Sequence, residues 1–253
     1  MCIVAFAWQA HPRWKLVAIG NRDEMHARPA DALTRWDDTA HLLAGRDVKA
    51  GGTWLGVSEQ GRLAVVTNLS SHGAPDAQRA SRGDLLKDFL SGEGHYSSLN
   101  ATEFSDFNPF NLITVDGNKA FIHSNRPGSI SNILTPGIHG LSNGPLDNPW
   151  PKSGHLNSTL AEWIENRPDD PHVLLDDLFD QKTFPSTKQT IADSAAPLDP
   201  QHSAVFIRNP VYGTRCSTVV AIDDQGKGMI IERRYAPSGQ STGETSLSFA
   251  WPI

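Results

Sequence analysis

The stretch that decides the fold is Met1-Cys2-Ile3-Val4-Ala5-Phe6-Ala7-Trp8, an apolar run typical of a β-strand. A second apolar run at residues 16–19 follows the polar residues 9–13 and leads directly into Asn21-Arg22-Asp23-Glu24. Two such runs joined by a short polar connection predict a β-hairpin, with residues 21–24 as the loop after it. Because an antiparallel hairpin brings its open ends together, we expect Arg22 and Asp23 to lie near Cys2.

The cysteine at position 2 has two interpretations. Removal of Met1 would make Cys2 the N-terminal residue, with a thiol nucleophile and an α-amine base on the same residue. An α-amine has an ordinary pKa of about 7.7–8.0, so it can take a proton from a thiol near neutral pH. Position alone favours the other interpretation, a core residue, since free cysteine is among the most buried residue types.

Composition excludes several classes of partner. The 253 residues carry 22 Lys and Arg against 28 Asp and Glu, a net charge of −6, and contain no basic run. Nucleic acid and anionic membrane surfaces are therefore not expected as partners. Neither a spanning segment of about 20 apolar residues nor a signal peptide is present, so we expect a cytoplasmic protein without stable membrane insertion.

The thiol and metal-ligand patterns exclude further classes. Cys2 and Cys216 are the two cysteines, and in a chain without an export signal they predict reduced thiols. The sequence has no CxxC, HExxH, Walker or GxGxxG motif. Its ten histidines, among them His123 and His139, show no metal-ligand spacing. We therefore expect no cofactor to be required for catalysis, and the oligomeric state is not determined by these patterns.

Hairpins dominate the rest of the chain. Residues 53–57 with 63–68 and residues 111–116 with 120–124 are two such pairs, and later strands are predicted at 204–208, 216–222, 228–234 and 245–251. Mostly hairpin-connected strands predict largely antiparallel sheets.

Three helices are predicted between the strands. Ser81 caps the first, apolar residues spaced as on a helix define the second at residues 154–166, and Asp170-Pro171 opens the third. Few helices beside many hairpins predict an α+β protein with helices packed outside the sheets, in one domain over residues 1–253. Residues 180–202 are polar and without periodicity, so this long loop is our candidate lid.

Three further polar residues stand at predicted strand ends: Asn68, Asn143 and Arg215. Asn143 is followed by glycine and is also typical of an ordinary turn. Arg22 and Asp23, side by side, are also typical of a solvated pair on the surface. Each residue therefore has a structural interpretation beside a catalytic one.

Taken with Cys2, these residues fit one mechanism. A thiol attacking an amide carbonyl needs donors for the developing oxyanion, and the amides of Asn68 and Asn143 can supply them. Asp23 can hold the ammonium or the thiol in place. Arg22 and Arg215 can lower the pKa of the thiol and orient the carboxylate through bidentate bonds.

Two glycine-containing motifs complete the candidate site. Gly51-Gly52-Thr53-Trp54-Leu55-Gly56 opens a strand rather than a helix, which favours a turn with close backbone approach over a phosphate loop. Trp54 in this motif is a candidate substrate-binding residue. Arg46 in Ala44-Gly45-Arg46-Asp47 is expected at the pocket mouth, as an anchor for an acidic substrate or a haem propionate.

The motifs together resemble a known family. The matching segments run through most of the chain in order: Met1-Cys2-Ile3-Val4-Ala5-Phe6, Asn21-Arg22-Asp23-Glu24, Ala44-Gly45-Arg46-Asp47, Gly51-Gly52-Thr53-Trp54-Leu55-Gly56, Thr67-Asn68, Ser81-Arg82-Gly83, Asn108-Pro109-Phe110-Asn111-Leu112, Gly140-Leu141-Ser142-Asn143 and Tyr212-Gly213-Thr214-Arg215. They resemble the NRDE family, which is the family of transport and Golgi organisation protein 2.

More distantly, the chain resembles the N-terminal-nucleophile (Ntn) amidases of the penicillin V acylase and bile salt hydrolase group. This resemblance implies a four-layer αββα sandwich and an amidohydrolase that cleaves a linear amide through a Cys2 thioester. The catalytic residues of that group would fall on Cys2, Arg22, Asp23, Asn68, Asn143 and Arg215. Leu141-Ser142-Asn143-Gly144-Pro145 is similar to a motif of the group, and Thr67-Asn68 is a shorter match.

The NRDE resemblance also implies haem trafficking and lipid or acyl-CoA metabolism. The competing hypothesis is therefore a non-catalytic protein that binds haem or an acyl ligand with the same fold and pocket. Haem binding requires an apolar pocket with an axial ligand such as His, Met, Cys or Tyr. An interaction scaffold without a small-molecule site is the third hypothesis.

Overall fold

Two antiparallel sheets form the centre of the protein. The computed structural model describes residues 2–70, 73–146, 149–166, 168–184 and 203–252. Along these residues the strands are β1 Cys2–His11, β2 Trp14–Met25, β3 Ala30–Arg35, β4 Leu42–Asp47, β5 Leu55–Ser58, β6 Arg62–Asn68, β7 Phe110–Asp116, β8 Lys119–Ser124, β9 Ile130–Ile133, β10 Gly137–Leu141, β11 Tyr212–Asp223, β12 Lys227–Tyr235 and β13 Ser241–Ala250.

The strand order places the first hairpin in the middle of one sheet. Sheet A has the order β10-β1-β2-β11-β12-β13, and sheet B has the order β3-β4-β5-β6-β7-β8-β9. Neighbouring strands pair antiparallel in both sheets. The predicted hairpins are confirmed, and Cys2 pairs with Arg22 at the open end of the first.

The helices lie on the outer faces of the sheets. They are α1 Arg82–Ser91, α2 Pro151–Asn166 and α3 Leu174–Asp177, with 3₁₀ segments at Ala101–Asp106 and Pro171–Val173. The predicted caps are confirmed, since the Ser81 side chain accepts a hydrogen bond from the Gly83 N–H and the Asp170 side chain accepts one from the His172 N–H.

Strand alternation separates three cores. Side chains of β1 at Val4, Phe6 and Trp8 face the space between the sheets. The alternate residues of the same strand face α2 and α3, and α1 packs on the outer face of sheet B. This is the αββα arrangement that the resemblance implied.

Two local predictions were wrong. Residues 21–24 are not a loop but the end of β2, because Asp23 and Glu24 pair with Thr214 and Gly213 of β11. Residues 204–208 are buried but not a strand, because their backbone groups make separate contacts, such as the Phe206 N–H to the Asp180 carbonyl, instead of a ladder. β3, β4, β9 and β10 were not predicted. Residues 185–202 of the candidate lid lie outside the described residues, and a single domain over 1–253 stays a prediction.

Candidate functional site

Cys2 lies at the open end of the first hairpin, half-buried. Pairing of β1 with β10 joins Val4 to Leu141, so the residues just beyond β10 reach the start of β1. The Cys2 backbone nitrogen donates to Oδ1 of Asn143 at 3.3 Å. The Asp23 backbone N–H donates to the Cys2 sulfur. The structure therefore brings both Asp23 and Asn143 to Cys2.

Burial raises the pKa of the Cys2 thiol, although the Asp23 N–H and the Arg22 guanidinium act in the opposite direction. The thiol is thus mainly protonated at neutral pH. A nucleophilic role for Cys2 therefore needs a base, because the thiolate and not the thiol is the nucleophile.

Arg22 faces the space between the sheets, with 5% of its side chain exposed. Its Nη2 lies 3.1 Å from Oδ2 of Asp47, and its guanidinium lies over the Trp54 ring, 4.3 Å from the centroid. Nη1 is buried and has no hydrogen-bond partner among the residues that the structure describes. This N–H group is a donor available to a bound acceptor.

Asp47, not Asp23, is the carboxylate that the arginines orient. Arg28 binds it bidentately, from Nε to Oδ2 at 2.6 Å and from Nη2 to Oδ1 at 3.2 Å. Burial alone would raise the pKa of Asp47, but the hydrogen bonds from Arg28 lower it overall. The predicted pairing of Arg22 with Asp23 is wrong because neighbouring strand residues point to opposite faces of β2.

Asp23 lies on the α2 side of sheet A and is 2% exposed. Thr214 Oγ1 donates to its Oδ1 at 2.6 Å, and the Tyr212 hydroxyl donates to its backbone carbonyl at 2.9 Å. Burial raises the pKa of the Asp23 carboxyl above its ordinary value overall, although nearby positive charges, Lys152 among them, and the Thr214 hydrogen bond act in the opposite direction. Its ionisation therefore depends on its neighbours.

The two asparagines are linked to each other. Asn143 Nδ2 donates to the backbone carbonyl of Asn68 at 2.6 Å. Asn68 thus contributes its carbonyl, and strand alternation puts its side chain on the α1-facing side of β6 with Ala64 and Val66. Asn143 holds the Cys2 nitrogen, a contact that the sequence did not predict.

Arg215 and Arg46 are not brought to Cys2. Arg215 Nη1 donates to the carbonyls of Met25, His26 and Arg28, so it fixes the turn after β2. It occupies a bulge in β11, where the register shifts between residues 214 and 216. Arg46 binds Asp38 at 2.6 Å and lies over Trp36, on the α1 side of sheet B. Among the predicted substrate-binding residues, Trp54 alone lies beside Cys2.

Sequence reasoning missed two cations near the site, Arg82 and Lys152. Arg82 Nη1 donates to the Pro109 carbonyl at 2.9 Å, and the side chain interacts electrostatically with Cys2 and Glu24. Lys152 is fully buried and its Nζ donates to Ser203 Oγ at 2.8 Å; burial lowers the pKa of its ammonium, while the charges of Asp23 and Cys2 act in the opposite direction. A signal for Lys152 exists, since it stands one helical turn before Leu156 on the apolar stripe of α2.

The space beside Cys2 is small. A cavity of about 10 Å³ is lined by Cys2, Val4, Gly20, Asn21, Arg22, Trp54, Leu55, Val65, Val66 and Thr218. This volume is close to the least that a single water molecule needs. The described residues contain no group of His, Cys, Asp or Glu that could hold a metal ion. None of the described helices is long and apolar enough to cross a membrane.

A solved structure shares the fold. The N-acylethanolamine-hydrolyzing acid amidase ortholog of Caenorhabditis elegans superposes with a TM-score of 0.50, over 86% of this chain and 92% of that chain, at 13% identity. At this identity the likeness concerns the fold alone. It supports the αββα Ntn-hydrolase architecture.

Sequence relatives give the family. The Mus musculus "Transport and Golgi organization 2 homolog" is 32% identical over 270 residues, covering 97% of both chains. The Homo sapiens "Transport and Golgi organization protein 2 homolog" is 32% identical over 268 residues, again covering 97% of both. Residues 1–237 match the family "Transport and Golgi organisation 2". The chain therefore belongs to the Transport and Golgi organisation 2 family, as the NRDE motifs predicted.

Proposed function

We propose that this protein is an Ntn-type cysteine amidohydrolase that cleaves a linear amide through a Cys2 thioester. The observation that carries the proposal is the setting of Cys2. Its thiol accepts from the Asp23 N–H, its nitrogen lies 3.3 Å from Asn143 Oδ1, and the buried Arg22 is its partner on β2. The fold shared with an enzyme named as an N-acylethanolamine-hydrolyzing amidase supports the same chemistry.

The first step is thiol activation. Removal of Met1 turns the Cys2 nitrogen, which already contacts Asn143, into an α-amine. This amine takes the thiol proton, and the thiolate attacks the amide carbonyl carbon to form a C–S bond and a tetrahedral oxyanion. When the C–N bond breaks, the α-ammonium gives its proton to the leaving amine. Water then hydrolyses the thioester, which releases the carboxylic acid and restores the thiol.

The oxyanion needs preorganised donors. Asn143 Nδ2 carries two hydrogens and gives one to the Asn68 carbonyl, so the second is available to substrate. Arg22 Nη1 is the other donor that we assign, in place of the Asn68 side chain, because it is buried and has no partner among the described residues.

The test begins with the intact mass of the purified, untagged protein, which shows whether Met1 is absent. A protein without Met1 is then assayed against N-acyl amides, including N-acylethanolamines, by release of the free fatty acid. Turnover should be lost in Cys2→Ala and retained in Cys216→Ala, a matched variant of the buried second cysteine. Hydrolysis by the folded Cys2→Ala protein at the wild-type rate would end the proposal.

The second candidate function is non-catalytic binding of an acyl ligand or haem. One observation favours it: Met25, the last residue of β2, and Val211, the residue just before β11, are 43% and 57% exposed, and the His26 N–H donates to the Val211 carbonyl at 3.0 Å. Such apolar side chains could contact an acyl chain or a haem edge. This hypothesis predicts saturable binding of fatty acid or haem that Cys2→Ala leaves unchanged, without amide hydrolysis. Failure of both assays would favour an interaction scaffold.

A further inference from the structure

Trp54 was predicted to bind substrate, but the structure places its indole ring against Arg22. The guanidinium carbon of Arg22 lies 4.3 Å from the ring centroid. At this distance the cation and the face of the ring attract each other, and a planar guanidinium stacks well on an aromatic ring. Trp54 and Arg22 line the same small cavity as Cys2. The ring therefore bounds one face of the guanidinium next to the nucleophile.

A glycine in β4 leaves room for this ring. A Cβ added to Gly45 would lie 2.5 Å from Cη2 and 2.7 Å from Cζ2 of the Trp54 indole. Both distances are far below the 3.5–4.0 Å or so that suits two carbon atoms, so a larger residue at this position would displace the ring. Trp54 thus packs on Gly45 with the edge of its ring and on Arg22 with its face.

The contact with Asp47 does not by itself fix the orientation of the Arg22 guanidinium. Arg28 binds Asp47 through two hydrogen bonds, whereas Arg22 binds it through one, from Nη2 to Oδ2 at 3.1 Å. A single hydrogen bond leaves the guanidinium plane free to rotate about it. The face of the Trp54 ring removes this freedom, because a stacked guanidinium must stay parallel to the ring.

Two contacts together therefore determine where the second terminal nitrogen of Arg22 points. Asp47 holds Nη2, and Trp54 sets the plane of the group. Nη1 is buried and has no hydrogen-bond partner among the described residues. It is also the nitrogen to which the proposed function gives the oxyanion.

We propose that Trp54 is a positioning residue: its ring, packed on Gly45, sets the plane of the Arg22 guanidinium so that Nη1 points to the oxyanion. The oxyanion in this statement rests on the proposed function, whereas the orientation of Arg22 by Trp54 can be tested without substrate. The role differs from substrate binding, in which the ring would contact the substrate before and during the reaction.

Steady-state kinetics on an N-acylethanolamine separates the two roles of Trp54. A donor to the oxyanion acts in the transition state, so its displacement lowers kcat and leaves KM nearly unchanged. Loss of one oxyanion donor costs about 10²–10³-fold in kcat, so a displaced donor in Trp54→Leu or Gly45→Ala should cost about tenfold or more. A raised KM with an unchanged kcat would assign Trp54 to substrate binding and would overturn the proposal.

A double-mutant cycle tests whether Trp54 acts through Arg22. Arg22→Lys removes the planar group that the ring orients. In that background, Trp54→Leu should lower kcat by less than about twofold, against about tenfold or more in the wild type. An equal loss in both backgrounds would show that the ring acts independently of Arg22, and the proposal would fail.

NMR tests the orientation of Arg22 without any substrate. The ring current of an indole shifts protons above its face upfield. The side-chain N–H protons of Arg22, assigned from the signals lost in Arg22→Lys, should therefore be shifted upfield in the wild type. Gly45→Ala displaces the ring and should reduce this shift. A wild-type Arg22 without the upfield shift, or a shift that Gly45→Ala leaves unchanged, overturns the proposal.

Gly56→Ala is the matched control for Gly45→Ala. It adds the same methyl group to the same sheet but on the opposite face, where a Cβ would lie 2.9 Å from Leu90 Cδ1 of α1. The Arg22 signals of this variant should keep the wild-type shift. If the protein hydrolyses no amide, the proposed function fails, while the spectra still decide whether Trp54 orients Arg22. If Trp54→Leu does not fold, the wild-type and Gly45→Ala spectra decide.

Discussion

The middle and the open end of the β1–β2 hairpin face the same space between the sheets, yet they are built differently. In the middle, Phe6 is fully buried and stacks on Trp8, with a centroid distance of 6.3 Å. Four residues along the same strand, at the open end, Cys2 lies beside Arg22 and its partner Asp47. Two adjacent parts of one hairpin thus use apolar burial in one place and paired charges in the other.

The comparison distinguishes apolar residues, which stabilise the fold by burial, from charged residues, which set the electrostatic environment of Cys2. Burial of apolar side chains stabilises the fold by about 25 cal/mol for each Å² removed from water. Buried charge pairs contribute little net stability, because the desolvation of both partners offsets their attraction. We therefore expect changes in the middle to alter the free energy of unfolding through lost packing. Removal of one charged partner at the open end leaves an uncompensated charge, so it should alter the free energy of unfolding in a way that depends on pH. Four substitutions test this separation.

The largest effect is expected in the middle of the hairpin. Phe6→Ala leaves a cavity in the inter-sheet core and should lower the free energy of unfolding by about 4 kcal/mol. Urea denaturation measures the loss. Alkylation of Cys2 by iodoacetamide, followed by mass spectrometry at a temperature where the variant is folded, should proceed at nearly the wild-type rate. A loss under about 1 kcal/mol would contradict the stabilising role given to this core.

The next effect is expected at Asp47. Asp47→Asn leaves the buried Arg22 and its neighbour Arg28 without their carboxylate, and should cost about 3 kcal/mol at pH 7. The folded-state pKa of Asp47 is lowered, so its contribution is present above its unfolded pKa of about 3.9 and lost as pH falls through the folded value.

The pH dependence supplies the check on Asp47. Melting temperatures of wild type and Asp47→Asn should differ most near neutral pH and converge in acid. Asp38→Asn, which removes the exposed partner of Arg46, is the matched control and should differ little from wild type at any pH above 4. A gap between wild type and Asp47→Asn that persists unchanged to pH 2 would show that the charge is not the cause.

A smaller effect is expected at Thr214. Thr214→Val removes the hydroxyl that donates to Asp23 Oδ1 and accepts from the Ile207 N–H, which should cost about 1–2 kcal/mol. Because that hydrogen bond lowers the pKa of Asp23, the midpoint of the Asp23 titration, followed by ¹³C NMR of its side-chain carboxyl, should rise in this variant. Thr218→Val on the same strand, facing the other side of the sheet, is the control. An unchanged Asp23 midpoint in Thr214→Val would contradict the role of the hydroxyl.

The smallest effect, and one of opposite sign, is expected at Glu232. This buried residue accepts a hydrogen bond from the Leu33 N–H. Glu232 pairs with Thr218, Thr218 pairs with Gly20 and Gly20 pairs with Val4, so Glu232 lies directly across sheet A from Val4. Along the strands, this line of residues lies between that of Cys2 and that of Phe6. Burial raises its folded-state pKa above the ordinary 4.5. The folded state is therefore favoured below pH 4.5, and that advantage is lost as pH rises through the folded pKa.

Glu232→Gln keeps the shape and removes the charge. At pH 7 it should be neutral or should stabilise the fold by up to about 1 kcal/mol, because no buried carboxylate remains. Thermal unfolding at several pH values measures this effect. Destabilisation by more than about 2 kcal/mol at pH 7 would show that the ionised carboxylate is required in the folded state.

The antiparallel sheets and the closeness of Cys2, Arg22 and Asp23 were predictable because they depend on local pattern, whereas the four-layer αββα arrangement was implied by the resemblance. Alternating and apolar runs with short turns specify hairpins, and a hairpin of known register fixes which ends meet. β10 was not predicted, since Gly137 and Gly140 weaken the strand pattern of this short segment. The contact between Asn143 and the Cys2 nitrogen depends on the pairing of β10 with β1, so this contact was not predicted either.

The pairing of charges was not predictable in the same way. Whether Arg22 contacts Asp23 or Asp47 depends on the face of β2 to which each side chain points. Residues 21–24 were predicted as a loop, and a loop prediction does not assign side chains to the two faces of a sheet. Lys152 was missed because it stands one residue after the proline that begins α2, outside the predicted helix 154–166. Arg215 was chosen from its place at a predicted strand end and then also from the resemblance, but a bulge in β11 directs it to the turn after β2.

The pairing of β2 with β11 also has a consequence for the newborn protein on the ribosome. Arg22 pairs with Cys216, so β11 cannot pair with the hairpin that holds Cys2 until residue 216, in the last fifth of the chain, has been synthesised. At about 5–20 residues per second, translation leaves an interval of roughly 10–40 s during which the hairpin is uncovered. The removal of Met1 that the proposed mechanism requires has that interval in which to occur, before the sheet closes around the thiol.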